Sequence, residues 1–193
     1  LYKILHMKKP VYKYPDFVKN VELEKTDDKR FWLKLIIDES KPESIIIILK
    51  NPSKANKEIS DKTVYNVSNY IFRNREKYNI LKDIGSVVIL NLIPYYQTYS
   101  EKLEPLKTKV ICDENLRVIN RLTGEHSKVI IAWGNHPKGL YEEYQTLKGQ
   151  VTKILENNHN DIFYVDKLSK DENPKHGQVW GYANELLPFS IKQ

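Results

Sequence analysis

The sequence predicts an α/β fold: a three-layer helix–sheet–helix sandwich around a central four-stranded parallel sheet, with an N-terminal hairpin extension. Three short apolar segments support this, since β-branched stretches of this length are typical of strands buried on both faces of a parallel sheet. They are Ile45–Leu49, Val87–Leu90 and Val129–Ala132. Segments with helical periodicity separate them, which indicates right-handed crossovers. Each apolar segment ends at a polar turn, so polar side chains should meet at one edge of the sheet.

The first half of the chain opens with a polar, weakly patterned stretch, residues 1–30, which we expect to be an N-terminal arm or irregular extension. Phe31–Ile37 and Ser44–Leu49 have the composition of strands, and the turn between them predicts that they pair as a hairpin. A helix with one apolar face is expected next, with Ser60 or Asp61 as its N-cap residue.

The second half of the chain predicts two helices and two core strands. Asp113 can cap one helix, and Pro137 suits the first position of the other. The strand Val129–Ala132 lies between these helices, and Ile162–Val165 follows as the fourth core strand. The tail, Lys167–Gln193, is expected to be rich in loops.

Composition indicates a globular chain. At 193 residues, one domain is the default, and we assign it to residues 31–193. The single cysteine, Cys112, excludes an internal disulfide and a cysteine-based zinc site, and it fits a reducing cytoplasm. No apolar run approaches the ~20 residues that span a bilayer, and the first residues do not resemble a signal peptide. We therefore expect a cytoplasmic, monomeric protein that does not insert into a membrane.

Several common kinds of site are missing from the sequence. No pair of histidines has metal-ligand spacing, so no metal is expected. With only 7 glycines there is no dinucleotide-binding fingerprint, and no cofactor is expected. There is no nucleophile elbow of the Gly-x-Ser-x-Gly type and no evident cysteine–histidine pair.

The net charge of +6 bears on the choice of partner. Most of the excess of basic residues lies within residues 41–140, the part of the chain that carries the three polar turns. A basic surface there would suit a polyanion such as nucleic acid. A generally lysine-rich composition explains the same charge without any partner, and charge alone does not decide between these interpretations.

Two asparagines at predicted strand ends are candidate ligand-binding residues. Pro52 restricts Asn51 to an extended conformation and holds its amide at the edge of the sheet, although Asn-Pro is also a common strand-ending turn. Asn91 follows a wholly apolar strand, where an unpartnered carboxamide would cost on the order of 1–3 kcal/mol. Either it bonds to neighbouring backbone, or it pairs with one edge of a nucleobase.

Aromatic residues and a late histidine add to this edge. Tyr95 and Tyr96 follow Asn91 and could stack on a base, although core packing explains them equally well. His176 lies in a Pro/Gly turn after the last predicted core strand, which increases the chance that it faces the same edge.

The ordered series Asn51-Pro52-Ser53, Leu90-Asn91, Ala132-Trp133-Gly134 and Lys175-His176-Gly177 resembles the motif series of the uracil-DNA glycosylase superfamily. It is more closely similar to a bacterial family of unknown function built on the same plan. The similarity spans roughly residues 31–190. It implies the uracil-DNA glycosylase-like form of the predicted sandwich.

The resemblance also implies roles. Asn51 would position the hydrolytic water, Asn91 would pair with an everted base, and His176 would stabilise the departing base as an anion. Trp133-Gly134 would be mainly scaffold. Ser53, Tyr95 and Tyr96 would then line the base pocket. The candidate DNA contacts are Lys50, Lys54, Lys175 and Trp180.

The sequence departs from the superfamily in ways that weaken uracil excision. Ser53 stands where the uracil enzymes have a tyrosine that excludes the thymine methyl group. The segment after His176 lacks the wedge that displaces a base from the duplex, although Val179 or Trp180 could substitute. Asp61 and Asp83 are the nearest candidate general bases, and a helix cap and a loop explain them.

Three hypotheses follow. The favoured one is a glycosylase-like pseudo-enzyme that binds DNA or a DNA-mimicking inhibitor protein. The second is an active DNA N-glycosylase of altered base specificity that uses Asn51 and His176. The third is a nucleotide- or nucleoside-binding module without DNA contacts.

Overall fold

The computed structural model describes residues 12–191. Residues 1–11, the first part of the predicted arm, and residues 192–193 lie outside the described range. Among the described residues, no helix is long and apolar enough to cross a bilayer.

The described chain forms one seven-stranded mixed sheet, with strand order β1-β2-β4-β3-β5-β6-β7. The four central strands, β4, β3, β5 and β6, are parallel to one another, whereas β1, β2 and β7 pair antiparallel at the two sides of the sheet. The strands are β1 Asn20–Lys25, β2 Arg30–Ile36, β3 Glu43–Leu49, β4 Ile84–Asn91, β5 Lys128–Ile131, β6 Asp161–Val165 and β7 Leu186–Pro188.

Three α-helices cover the sheet on both faces. Helix α1, Lys62–Asn74, packs its buried face with Ile45 and Ile47 of β3. Helices α2, Asp113–Glu125, and α3, Tyr141–Asn157, pack on the opposite face, which includes Ile46 and Ile48. The alternation of β3 side chains between two helical layers explains why this strand is almost wholly apolar. The prediction of an α/β protein is confirmed at this level, with seven strands in the sheet and three helices.

The predicted hairpin between Phe31–Ile37 and Ser44–Leu49 is wrong, because β4 lies between β2 and β3. The hairpin of this region is β1–β2, and it is closed by Thr26, whose N–H donates to the carbonyl of Lys29 at 2.9 Å. The isoleucine run of β3 needs cover on both faces, which a central position provides. The expected irregular arm therefore contains a strand, β1.

Two other elements differ from the predictions. Helix α3 begins at Tyr141 instead of near Pro137, since Gly139 has φ +79° and cannot continue a helix. The loop-rich tail contains β7, which pairs with β6 and extends the sheet. The tail also contains a 3₁₀ helix, Gly177–Val179, that returns to the carboxyl ends of the parallel strands.

Candidate functional site

A cleft of about 560 Å³ opens beyond the carboxyl ends of β3 and β4. Strand β3 leads to α1 on one face, and β5 leads to α3 on the other, so the winding of the sheet reverses between them. Such reversal points are where open α/β sheets bind ligands. We call this hollow the Asn51 cleft. It is lined by Tyr12, Lys50, Asn51, Ser53, Lys54, Asp61, Lys62, Thr63, Gln97, Thr98, Ser100, His176, Gln178 and Val179.

Asn51 is held by two backbone carbonyl groups. Its Nδ2 donates to the carbonyl oxygen of Gln97 at 2.6 Å and to that of Pro52 at 3.0 Å. Because both partners are acceptors, the atom facing them must be the amide nitrogen, and the side-chain oxygen Oδ1 is left to accept a hydrogen bond. Asn51 can therefore orient a water molecule or a ligand N–H group, but it cannot act as a strong proton acceptor.

His176 enters the same cleft from the far end of the chain. Its Nδ1 accepts a hydrogen bond from the backbone N–H of Gln178 at 3.2 Å, so the neutral ring carries its proton on Nε2. Burial, with a smaller contribution from the charge of Lys50, lowers the pKa of His176 to about 4. The ring is consequently neutral at pH 7 and presents Nε2–H as a hydrogen-bond donor.

Gly177 allows the His176 segment to approach the sheet. A Cβ atom at Gly177 would lie 2.4 Å from Cγ1 of Val67 on α1. The backbone N–H of Gly177 donates to the carbonyl of Ala132 at 3.4 Å, and its carbonyl accepts from Nδ2 of Asn66 at 2.8 Å. These contacts join the 3₁₀ helix to both β5 and α1, and they fix where His176 lies.

Asp61 has two roles in the structure. As predicted, it is the N-cap of α1, with Oδ1 accepting from the N–H of Val64 at 2.9 Å. It also lines the Asn51 cleft, and its Oδ2 accepts from the N–H of Ala55 at 3.3 Å. The sequence contained a usable signal for this second role, because a helix that follows a parallel strand begins at the carboxyl edge of the sheet.

A buried arginine lies behind Asp61. Arg30 is 1% exposed, and its Nη1 donates to the carbonyl oxygen of Ala55 at 3.1 Å. Burial lowers the pKa of Arg30, and the charge of Asp61 is the largest effect that opposes this. Ala55 therefore joins the two side chains through its backbone, with its carbonyl on Arg30 and its N–H on Asp61.

Asn91 is not among the residues that line the Asn51 cleft. It is the last residue of β4 and is fully buried, and neither Oδ1 nor Nδ2 has a hydrogen-bond partner within residues 12–191. Its register partner in β3 is Leu49. The structure thus brings Asn51 and His176 together, and it places the Asn91 carboxamide inside the protein.

The two tyrosines proposed to contact a base also lie outside the cleft lining. Tyr95 is 9% exposed and belongs to the core on the α2–α3 face, with Lys29 over its ring. The backbone N–H of Tyr96 donates to the carbonyl of Asp28. Burial raises the pKa of both phenols. Core packing, the alternative raised for these residues, describes the position of Tyr95, whereas Tyr96 is half-buried.

Among the candidate DNA contacts, Lys50 and Lys54 line the Asn51 cleft beside Ser53, whose Oγ lies 3.4 Å from Oγ1 of Thr98. Lys62, at the start of α1, adds a third lysine that the sequence-based prediction did not include. The cleft therefore has a basic rim that faces the single carboxylate of Asp61.

Lys175 and Trp180 have structural contacts instead. The Nζ of Lys175 lies 2.7 Å from Oδ2 of Asp166. Trp180 is 4% exposed, stacks edge-on against Tyr70, and donates from Nε1 to the carbonyl of Lys175 at 3.0 Å. Its neighbour Val179 is 58% exposed and lines the cleft, so the 3₁₀ helix directs Val179 outward and Trp180 inward.

The described residues include no group of three or more His, Cys, Asp or Glu side chains that could hold a metal ion. The donors and acceptors of the Asn51 cleft are amides, a neutral imidazole, lysines and one carboxylate. Such a set suits an organic ligand that carries both hydrogen-bonding edges and negative charge.

A comparison with family models assigns most of the chain to one group. The model described as Protein of unknown function (DUF1643) matches residues 30–177. The chain belongs to the DUF1643 family. The matched DUF1643 region includes both Asn51 and His176 and stops before Val179. No curated protein and no solved structure matches the chain.

Proposed function

We propose that this DUF1643 protein is a uracil-DNA glycosylase-like pseudo-enzyme that binds DNA and accepts a nucleobase in the Asn51 cleft, with little or no uracil excision. The observation that carries this proposal is the convergence of Asn51 and His176, from opposite ends of the matched region, on one cleft. A base could accept from Nε2–H of His176 and donate to Oδ1 of Asn51. Both polar groups match the edge of a heterocycle.

The charge at the cleft supports a nucleic acid over a free base. Lys50, Lys54 and Lys62 line the same hollow that holds the two polar groups. Contacts between basic side chains and phosphate groups supply essentially all of the affinity of non-specific DNA binding and a large share of specific binding. The exposed Val179 at this cleft could contact a base or sugar next to the one that enters.

Weak excision follows from the chemistry of Asn51. A carboxamide whose nitrogen is engaged by Gln97 and Pro52 can orient a water but cannot take its proton at neutral pH. The neutral His176 donates a hydrogen bond to a departing base without the charge of an imidazolium. Both groups favour recognition of a base over rapid cleavage of its glycosidic bond.

A second candidate function is N-glycosidic hydrolysis, and Asp61 is the specific observation that favours it. Its carboxylate lines the Asn51 cleft, where it could stabilise positive charge that develops on the sugar or orient a water. This carboxylate also accepts hydrogen bonds from the backbone N–H groups of Ala55 and Val64, which fix its orientation in the cleft.

DNA binding is tested by measuring the affinity for single-stranded and duplex oligonucleotides over a range of salt concentrations. We expect log K to fall linearly with log salt. Lys54→Gln should make this slope shallower by about 0.7–0.9 if Lys54 neutralises one phosphate group. The matched control is Lys82→Gln, just before the amino end of β4, which should leave the slope unchanged. A flat salt response would contradict the proposal.

The choice between binding and catalysis is tested with oligonucleotides that carry uracil, scored for abasic sites. We expect no cleavage above background by the wild-type protein, alongside measurable binding. Cleavage that disappears in both Asn51→Ala and Asp61→Asn would establish the hydrolytic alternative instead. Retention on a DNA-mimicking glycosylase inhibitor, without DNA binding, would show that such a protein is the partner.

A further inference from the structure

Asp61 gives the Asn51 cleft a negatively charged acceptor with a fixed orientation. Among the described residues that line the cleft, it is the single one with a carboxylate. Its Oδ1 accepts from the N–H of Val64 at 2.9 Å, and its Oδ2 accepts from the N–H of Ala55 at 3.3 Å. A carboxylate oxygen can accept two hydrogen bonds, so one backbone N–H does not exhaust either oxygen. A ligand in the cleft can therefore donate to Asp61.

A buried arginine fixes this acceptor through the backbone of Ala55. Nη1 of Arg30 donates to the Ala55 carbonyl oxygen at 3.1 Å, while the N–H of the same residue donates to Asp61. Arg30 is 1% exposed, and its Nε has no hydrogen-bond partner in the described part of the chain. A buried cation with an unpartnered N–H group stabilises a fold poorly. An arrangement that sacrifices stability to hold one polar group in place is typical of a binding site.

The 3₁₀ helix that carries His176 packs where Asn51 and Asp61 leave their elements. A Cβ atom at Gly177 would lie 3.1 Å from Cδ2 of Leu49, two residues before Asn51. The same atom would lie 3.8 Å from Cγ2 of Thr63, two residues after Asp61. The end of β3, the start of α1 and the 3₁₀ helix therefore bring these three polar side chains to one cleft.

The three side chains present two acceptors and one donor. Oδ1 of Asn51 and the carboxylate of Asp61 accept, whereas Nε2–H of His176 donates. Cytosine and adenine match this set, because each carries an amino group with two N–H bonds beside a ring nitrogen that accepts. Uracil and hypoxanthine have a single N–H on the same edge, and a carbonyl oxygen replaces the amino group. Either of them leaves one acceptor of the cleft without a donor.

We propose that the Asn51 cleft selects a nucleobase with an exocyclic amino group beside a ring nitrogen acceptor, as in cytosine and adenine, and that Asp61 determines this specificity. The amino group donates to Asp61 and to Oδ1 of Asn51, and the ring nitrogen accepts from His176. A site that accepts hydrogen bonds from a ligand rejects the analogue that lacks the N–H group, because its own polar groups are then unpaired. This inference rests on the proposed binding of DNA.

The test compares single-stranded oligonucleotides of about 12 residues that differ only in the amino group. One pair is oligo-deoxycytidine and oligo-deoxyuridine, and the other is oligo-deoxyadenosine and oligo-deoxyinosine. Fluorescence anisotropy at pH 7.5 and fixed salt concentration measures the affinity of the full chain for each. We expect the amino-bearing member of at least one pair to bind at least about tenfold more tightly than its partner.

Asp61→Asn should bring the two affinities of that pair to about the same value, because the new amide can also donate to a carbonyl oxygen of the base. Asparagine is as good an N-cap as aspartate, and Asp61→Ser, which also keeps a capping side chain, is the second variant. Asp113→Asn is the matched control, since it makes the same change at the start of α2, outside the Asn51 cleft, and should keep the wild-type preference. Urea unfolding shows that each variant is folded.

Discrimination within one pair alone would support the inference and show whether the base is a pyrimidine or a purine. Equal affinities within both pairs would overturn the inference while leaving DNA binding in place. A preference that survives in folded Asp61→Asn and Asp61→Ser would also overturn it. Failure to bind any of the four oligonucleotides would instead contradict the proposed function.

Discussion

Gly134 packs directly against His176. A Cβ atom at Gly134 would lie 2.9 Å from the Cβ of His176, a distance that real Cβ atoms essentially never reach. Gly134 also has φ +67°, a conformation that L-residues with side chains rarely adopt. His176 therefore packs on the Trp-Gly turn that follows β5. This contact gives the turn a physical role in positioning His176, although the two are far apart in the sequence.

The first prediction concerns this packing. Gly134→Ala should destabilise the protein by about 1–3 kcal/mol, through the strained backbone and the close approach, and should displace His176 from the cleft. Urea unfolding would measure the stability, and DNA affinity would report the displacement. Gly149→Ala is the matched control, since it removes a glycine from an open helical position and should raise stability by about 0.5–1 kcal/mol. Equal effects of the two substitutions would contradict the assigned packing.

The second prediction concerns pH. The folded pKa of His176 is about 4, below the value of about 6.5 for an unfolded histidine, so the unfolded chain binds more protons between these values. The contribution to stability is complete above about pH 6.5 and is lost as the pH falls through the folded pKa near 4. We expect a loss of about 2–3 kcal/mol over this range, measured by urea unfolding at several pH values.

His176→Asn should flatten this part of the pH profile, because asparagine does not titrate and its Oδ1 can still accept from the N–H of Gln178. The control is His159→Asn, at an exposed turn where φ is already +52° and asparagine is tolerated. This variant should keep the pH dependence of the wild-type protein. A wild-type profile that is level between pH 7 and pH 4.5 would contradict the lowered pKa of His176.

Sequence reasoning placed Asn51 of the candidate site at the carboxyl edge of the sheet, because strand ends are local features. The apolar run of β3 and the following Asn51-Pro52 turn both show in a few residues, and parallel strands must share an edge. The pairing of β2 is different, because it depends on β4, which lies some fifty residues further along the chain. Nothing within Phe31–Ile37 encodes that partner, so a prediction based on the adjacent strand gives the wrong hairpin.

The orientation of a side chain was harder to predict than its position in the sheet. Asn91 was correctly placed at a strand end, but whether its side chain faces the cleft or the interior depends on the register of β4 against β3, in which it pairs with Leu49. Val179 and Trp180 are adjacent at the end of one 3₁₀ helix, yet the side chain of Val179 is exposed and that of Trp180 is buried. Such orientations come from long-range packing, which a single sequence does not display.

The third prediction separates these two neighbours. Trp180→Phe should lower stability by about 1–2 kcal/mol, because it removes the hydrogen bond to Lys175 and part of the ring packing on Tyr70. Val179→Ser, at a largely exposed side chain, should change stability by less than about 0.5 kcal/mol but weaken DNA binding. Thermal unfolding and oligonucleotide affinity measure the two effects. Loss of DNA binding in Trp180→Phe at unchanged stability would reverse these assignments.

The fourth prediction concerns the side-chain amide of Asn51. Asn51→Asp should destabilise the protein by about 1–3 kcal/mol, and more than Asn51→Ala, because a carboxylate would face two carbonyl oxygens that now accept from Nδ2. Urea unfolding of both variants at pH 7 measures the difference. If Asn51→Asp is as stable as the wild-type protein, the hydrogen bond from Nδ2 of Asn51 to the carbonyl oxygen of Gln97 does not stabilise the fold.

The last prediction tests the role of Asn91. Both of its polar side-chain atoms are buried without a partner in the described range, and leucine has a similar volume, so Asn91→Leu should raise stability by about 1 kcal/mol. The matched control is Asn115→Leu. Asn115 is equally buried, but its Nδ2 donates to the carbonyls of Asn91 at 2.9 Å and Leu92 at 3.2 Å. Its replacement should therefore cost about 1–3 kcal/mol.

DNA affinity then decides what the buried carboxamide does. Because Asn91 lies outside the lining of the Asn51 cleft, Asn91→Leu should bind oligonucleotides as tightly as the wild-type protein. A variant that is stable but no longer binds would mean that the cleft deepens around an entering base until Asn91 reaches it. In that case Asn91 serves the ligand. The increase in the free energy of unfolding of Asn91→Leu would then measure the stability that the protein loses by having an unpartnered amide in its core.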